Sequence, residues 1–108
     1  MSRPISFLHG WGLTPAVWTP LIEHLQPRHI CQTLALPGHG ETATAVAPSD
    51  WVRQVADALP DDGILCGWSL GGQLALQIAS EAPHKCARLI LIGTSPCFVQ
   101  HAGWPHGL

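Results

Sequence analysis

Four short, largely apolar runs at residues 5–8, 30–36, 64–66 and 89–92 alternate with segments whose apolar side chains recur every three or four positions. A strand covered on both faces reads as a continuous apolar run, whereas a half-exposed strand alternates apolar with polar residues. Such runs separated by amphipathic helices predict an α/β fold: a parallel sheet of about four strands with helices on both faces, in the order β-α-β-α-β-α-β. Val17, Trp18, Leu21, Ile22 and Leu25 form the first helical face, with Thr14-Pro15 as cap and first residue and Pro27 as the stop. Ser49 is the expected cap of a second helix in which Val52, Val55, Ala56 and Leu59 share a face. A third helix runs from Leu70 to about Ala82 and buries Leu74, Ala75, Ile78 and Ala79. Beyond Gly93 the pattern lapses. Residues 1–98 thus read as one α/β portion, and residues 99–108 as an irregular tail.

Composition narrows the function classes. At 108 residues the chain makes one domain or part of one. Its 46% hydrophobic and 11% charged residues oppose disorder, which needs the reverse balance. A net charge of −2 gives no electrostatic footprint for nucleic acid or an anionic membrane. No apolar run reaches membrane-span length, and the first is too short for a signal-peptide core, so the expected compartment is the cytoplasm. Cys31, Cys66, Cys86 and Cys97 lack CxxC spacing and read as free thiols.

The chemical signal is Gly67-Trp68-Ser69-Leu70-Gly71-Gly72, a G-x-S-x-G set between a buried strand and a helix. A serine on so tight a turn is held in a strained conformation that projects its Oγ above the sheet edge. Glycines two positions either side leave room for strand and helix to approach. The bland alternative is a glycine-rich turn in which Ser69 is an ordinary helix cap. His9-Gly10-Trp11-Gly12 follows the first strand, so a parallel sheet brings it to the same edge as Ser69. An acyl-transfer serine needs two N–H donors for its oxyanion, and the Leu70 and Trp11 backbones can supply them. His9 is expected to be a structural imidazole bonding that loop. Pro37-Gly38-His39-Gly40 is expected to be a turn whose glycines bend the backbone. Trp18 and Trp51 read as packing residues, Trp68 as a packing residue or a wall of an acyl pocket, and His84, His101 and His106 as solvated.

Together these motifs resemble the α/β-hydrolase superfamily, with His9-Gly10-Trp11-Gly12 as oxyanion loop and Ser69 on the nucleophile elbow. Within it, the continuation of the first loop through Leu13 to Val17-Trp18, the elbow GWSLGG, and Ser95-Pro96-Cys97-Phe98 after the last strand are most similar to the family of carrier-protein methyl ester esterases of biotin synthesis. The resemblance implies a partial α/β-hydrolase sheet with its strands ordered second-first-third-fourth. It implies Ser69 as catalytic nucleophile, Trp11 and Leu70 N–H groups as oxyanion hole, and Gly67, Gly71 and Gly72 as the elbow glycines. It further implies substrate contacts from Trp11 and Trp68, an ester linked to acyl carrier protein as substrate, and neither metal nor organic cofactor. Family members carry their acid and histidine after the serine. Here no aspartate follows Ser69, and Glu81 lies about three helical turns away, some 18 Å along the axis. The chain is therefore expected to match only the amino-terminal part of such an enzyme, the lid beginning near residue 99, and to be a poor esterase alone. The alternatives are a non-catalytic remnant or binding domain, or part of a thioesterase, lipase or C–C hydrolase.

Overall fold

The structure is a computed structural model that describes residues 3–38, 50–95, 100 and 102–103. His39, Gly40, the Ser49 cap, Pro96, Cys97, Phe98, His101, Trp104 and His106 lie outside the described residues. Strands β1 (Ile5–Leu8), β2 (Cys31–Leu34), β3 (Gly63–Trp68) and β4 (Cys86–Ile92) form one sheet in the order β2-β1-β3-β4. All three pairings are parallel, with Ile5 opposite both Cys31 and Ile64, and Trp68 opposite Ile92. This is the expected order, second-first-third-fourth.

The sheet separates two apolar layers because successive strand residues point to opposite faces. On one face Leu8 and Leu65 pack with Leu36 against Val55 and Ala56 of α2 (Trp51–Asp57), and against Leu74, Ala75 and Ile78 of α3 (Leu70–Glu81). On the other, Ile5, Phe7 and Cys66 pack around Trp18, with Ile22 and Leu25 of α1 (Thr19–Leu25) partly covering them. Trp18 and Phe7 stack obliquely at 4.9 Å between ring centroids.

Several boundaries differ from the sequence reading: β3 extends from the expected residues 64–66 to Gly63–Trp68 along its ladder with β4, and three others differ for a local reason. The first helix is two pieces, a 3₁₀ turn Pro15–Trp18 and then α1. Pro20 has no N–H to give the Ala16 carbonyl; the Thr19 N–H takes that oxygen instead, which tightens the turn. The second strand is shorter than residues 30–36, because its partner β1 offers only four residues, Ile5 to Leu8, to pair with Cys31 to Leu34. The fourth is longer than residues 89–92. Its first residues, Cys86, Ala87 and Arg88, join the ladder through backbone bonds that need no apolar side chain, with Ala87 bulged out between the pairs Gly63–Cys86 and Ile64–Arg88.

Candidate active site

β3 ends at Trp68 and α3 begins at Leu70, leaving Ser69 as the whole connection. Its backbone sits at φ 56°, ψ −115°, a left-handed conformation that costs a non-glycine residue of order 1–3 kcal/mol. Four hydrogen bonds hold it there. The Ser69 N–H donates to Ile92 O at 2.9 Å. The Ser69 carbonyl accepts from Gly72 N–H at 2.9 Å, from Gln73 N–H at 3.2 Å and from the Thr94 hydroxyl at 2.6 Å. The Ser69 side chain makes no cap to α3, which removes the reading of this serine as an ordinary N-cap.

The elbow glycines permit this crossing at backbone contact. A Cβ on Gly67 would stand 2.5 Å from Gly71 O and 2.6 Å from Gly72 Cα. A Cβ on Gly71 would collide with the Leu8 carbonyl and stand 2.5 Å from His9 O, so α3 starts directly against the end of β1. A Cβ on Gly72 would stand 2.6 Å from the Thr94 side chain. Thr94 was not singled out from the sequence, yet its hydroxyl bonds the elbow and its methyl covers Gly72. The available signal was its position, two residues beyond the end of β4 at the same sheet edge as Ser69.

The glycine loop after β1 lies beside the serine. The Cβ direction of Gly10 points to Ser69 Cβ at 3.5 Å and Trp68 O at 3.6 Å. Gly12, at φ 75°, turns the chain away, and Leu13 N–H closes the turn on Gly10 O at 3.2 Å. His9 anchors the loop from within, with no exposed surface. The Leu36 N–H donates to His9 Nε2 at 3.0 Å, so that nitrogen carries no proton, and Nδ1–H donates to Gly10 O at 2.7 Å. Both ring nitrogens are thus engaged in fixing β1, β2 and the loop together, the structural role expected for His9.

Trp11 is 78% exposed at the loop's tip, and its backbone N–H has no hydrogen-bond acceptor among the described residues. The Leu70 N–H opens α3, where the first N–H groups have no intrahelical partner, and the helix N-terminus favours negative charge beside it. Trp68 is half-buried and meets Trp18 edge-on at 6.3 Å on the α1 side of the sheet. Glu81 and His84 stand at the far ends of α3 and β4, where with Arg53, Asp57 and Lys85 they line a cleft of about 330 Å³. Neither comes near Ser69, because α3 and β4 run in opposite directions away from and towards that edge. Burial pushes the Cys66 and Cys31 thiols up from their ordinary pKa, so they are poor nucleophiles. Among the described residues, Ser69 is the one strained hydroxyl at the carboxyl edge of the sheet, and no three His, Cys, Asp or Glu side chains gather to hold a metal. No helix among them is long and apolar enough to cross a membrane.

Comparison with known proteins agrees with this geometry. A protein named pimeloyl-[acyl-carrier protein] methyl ester esterase, from Aromatoleum aromaticum, is 50% identical over 115 aligned positions, covering 100% of this chain and 46% of that relative. One of the same name from Nitrosomonas europaea is 40% identical, covering 94% of this chain and 41% of the relative. An esterase from Exiguobacterium antarcticum has the same fold, with a TM-score of 0.83 at 23% identity over 99% of this chain and 44% of its own. The chain spans less than half the length of these proteins. Residues 3–107 match the family described as alpha/beta hydrolase fold, and the chain belongs to that family.

Proposed function

We propose that this chain carries the nucleophile and oxyanion hole of a serine carboxylesterase that hydrolyses the methyl ester of a pimeloyl chain held on acyl carrier protein, in the cytoplasm, as a step of biotin synthesis. The observation that carries it is Ser69 at positive φ with the Gly10 loop packed against it. In this reading Ser69 Oγ attacks the ester carbonyl, and the Trp11 and Leu70 N–H groups receive the oxyanion as the tetrahedral intermediate forms. The intermediate expels methanol, and water then releases the acyl group from Ser69. Trp11 and Trp68 are the apolar walls for the acyl chain, and residues 99–108 begin the lid over it.

Proton transfer needs a histidine held by a carboxylate. His9 has both nitrogens committed, and His84 with Glu81 stands at the other edge of the sheet. Among the described residues no such pair stands beside Ser69, and in this reading the acid and base come from the family length that these residues do not span. The names of the 50% and 40% identical relatives support the substrate; the strained serine supports the chemistry.

The same lack of an acid–base pair beside Ser69 among the described residues favours a second reading, a binding domain without catalysis. A bacterium lacking its own pimeloyl carrier-protein methyl ester esterase separates the two. The gene for this chain, joined in frame to the part of the Aromatoleum aromaticum relative it does not span, restores growth without biotin under the esterase reading, and its Ser69→Ala variant does not. Equal growth with either residue at position 69 overturns it.

A further inference from the structure

Both peptide groups flanking Ser69 are tied to the end of β4. The Ser69 N–H donates to Ile92 O at 2.9 Å, and the Thr94 hydroxyl donates to Ser69 O at 2.6 Å. Between those residues Gly93, at φ 52°, bends the chain beside the Trp68 indole, whose Nε1 a Cβ on Gly93 would meet at 3.5 Å. The Thr94 hydroxyl is not needed to satisfy the oxygen it bonds. A carbonyl has two lone pairs, and the Gly72 and Gln73 N–H groups already reach this one from α3, at 2.9 and 3.2 Å. Thr94 adds a third donor, from a different element and at a shorter distance than either.

That oxygen belongs to the same peptide group as the Leu70 N–H. The group is planar and trans, so its C=O and N–H point in opposite directions and turn together. The Leu70 N–H has no acceptor among the described residues, and its direction is set from the oxygen end. Helix ends fray, and Gly72 and Gln73 move with the first turn of α3, whereas Thr94 ties the peptide to the sheet. We infer that Thr94 is a positioning residue of the oxyanion hole, its hydroxyl aiming the Leu70 N–H through the Ser69 carbonyl. The aim matters because a donor is effective only within about 2.7–3.1 Å of the place the oxyanion will take. A bond donated into the carbonyl oxygen also polarises the peptide and strengthens its N–H as a donor. The inference rests on the esterase reading of Ser69 and adds to it a residue from the end of β4.

The test uses this chain joined in frame to the part of the Aromatoleum aromaticum relative it does not span, with threonine, serine or valine at position 94. Hydrolysis of a short-chain aryl ester is measured per active serine, counted by titration with a fluorophosphonate, so that molecules lost to unfolding drop out. Thr94→Val should lower kcat roughly tenfold, less than the about 10²–10³ of deleting an oxyanion donor. KM should stay within about twofold, since the oxyanion exists only in the tetrahedral state. Thr94→Ser should restore most of kcat. An alkyl trifluoromethyl ketone, whose adduct with serine carries the same oxyanion, should bind Thr94→Val more weakly by the factor that kcat/KM falls. An unchanged kcat per titrated serine in Thr94→Val overturns the inference and leaves the esterase reading standing, because Thr94 then serves stability alone. A rise in KM at constant kcat does the same. A loss that Thr94→Ser does not repair assigns the effect to the methyl over Gly72 and also overturns it. Turnover that is absent, or that persists in Ser69→Ala, overturns the esterase reading, and this inference falls with it.

Discussion

Ser69 holds the least favourable backbone conformation of the site, and its neighbours hold it there. Replacing it with glycine removes the left-handed penalty, so Ser69→Gly should raise stability by about 1 kcal/mol in urea unfolding while removing the proposed nucleophile. Thr94→Val deletes the 2.6 Å bond to the Ser69 carbonyl while nearly keeping the shape over Gly72. The loss should be about 1 kcal/mol, measured the same way, and Thr94→Ser should recover most of it. Gly71→Ala places a methyl on the Leu8 carbonyl and should cost about 1–3 kcal/mol or more. Ser69 was legible because a G-x-S-x-G between an apolar run and a helical pattern prescribes its own turn. The role of Thr94 was not, because it depends on a contact 25 positions away that only the sheet order creates.

Among the elements, α3 bears most of the packing. Leu74, Ala75 and Ile78 are buried against β1 and β3, and Ile78 has no exposed surface. Ile78→Ala should cost about 2–5 kcal/mol, enough to unfold much of a marginal domain at room temperature, as circular dichroism would show. Below α3, the short turn before β4 is tied down by Lys85, whose ammonium donates to Leu59 O and pairs with Asp61, both at 2.9 Å. That hydrogen bond and charge hold the Asp61 carboxyl below its ordinary 3.8. A lowered folded pKa contributes stability above the unfolded value and loses it as the pH falls through the folded one. The stability gap between the native chain and Asp61→Asn should therefore be present near neutral pH, small because Asp61 is exposed, and should close below about pH 4. Helical periodicity marked α2 and α3 correctly. It missed the break before α1 because Pro20 falls within an otherwise regular apolar spacing, and it missed the start of β4 because ladder bonds leave no mark in side-chain polarity.

At the scale of the molecule, the order β2-β1-β3-β4 brings the Gly10 loop and Ser69 to one edge, since their strands β1 and β3 are neighbours in the sheet. The same order puts β4 at the end of the sheet, with no strand among the described residues pairing its outer side and with Ile90, Leu91 and Ile92 exposed. Such an edge invites self-association. Ile90→Lys should reduce the mass of the 108-residue chain's aggregates in light scattering without altering its circular dichroism. On the proposed reading the site is thus half built in these residues: Ser69 as nucleophile and the Trp11 and Leu70 N–H groups as oxyanion donors, with no acid–base pair among the described residues beside them. The most direct test is hydrolysis of a short-chain aryl ester by the 108-residue chain and by the chain joined to its relative's remainder, each with serine or alanine at position 69. The chain alone should stay within about 10³–10⁴-fold of the rate in water, the level that oxyanion donors and binding sustain without a triad. The joined protein should exceed it by on the order of 10⁶ and lose that gain in Ser69→Ala. Fast, Ser69-dependent turnover by the 108-residue chain alone, or turnover of the joined protein indifferent to Ser69→Ala, would contradict the account.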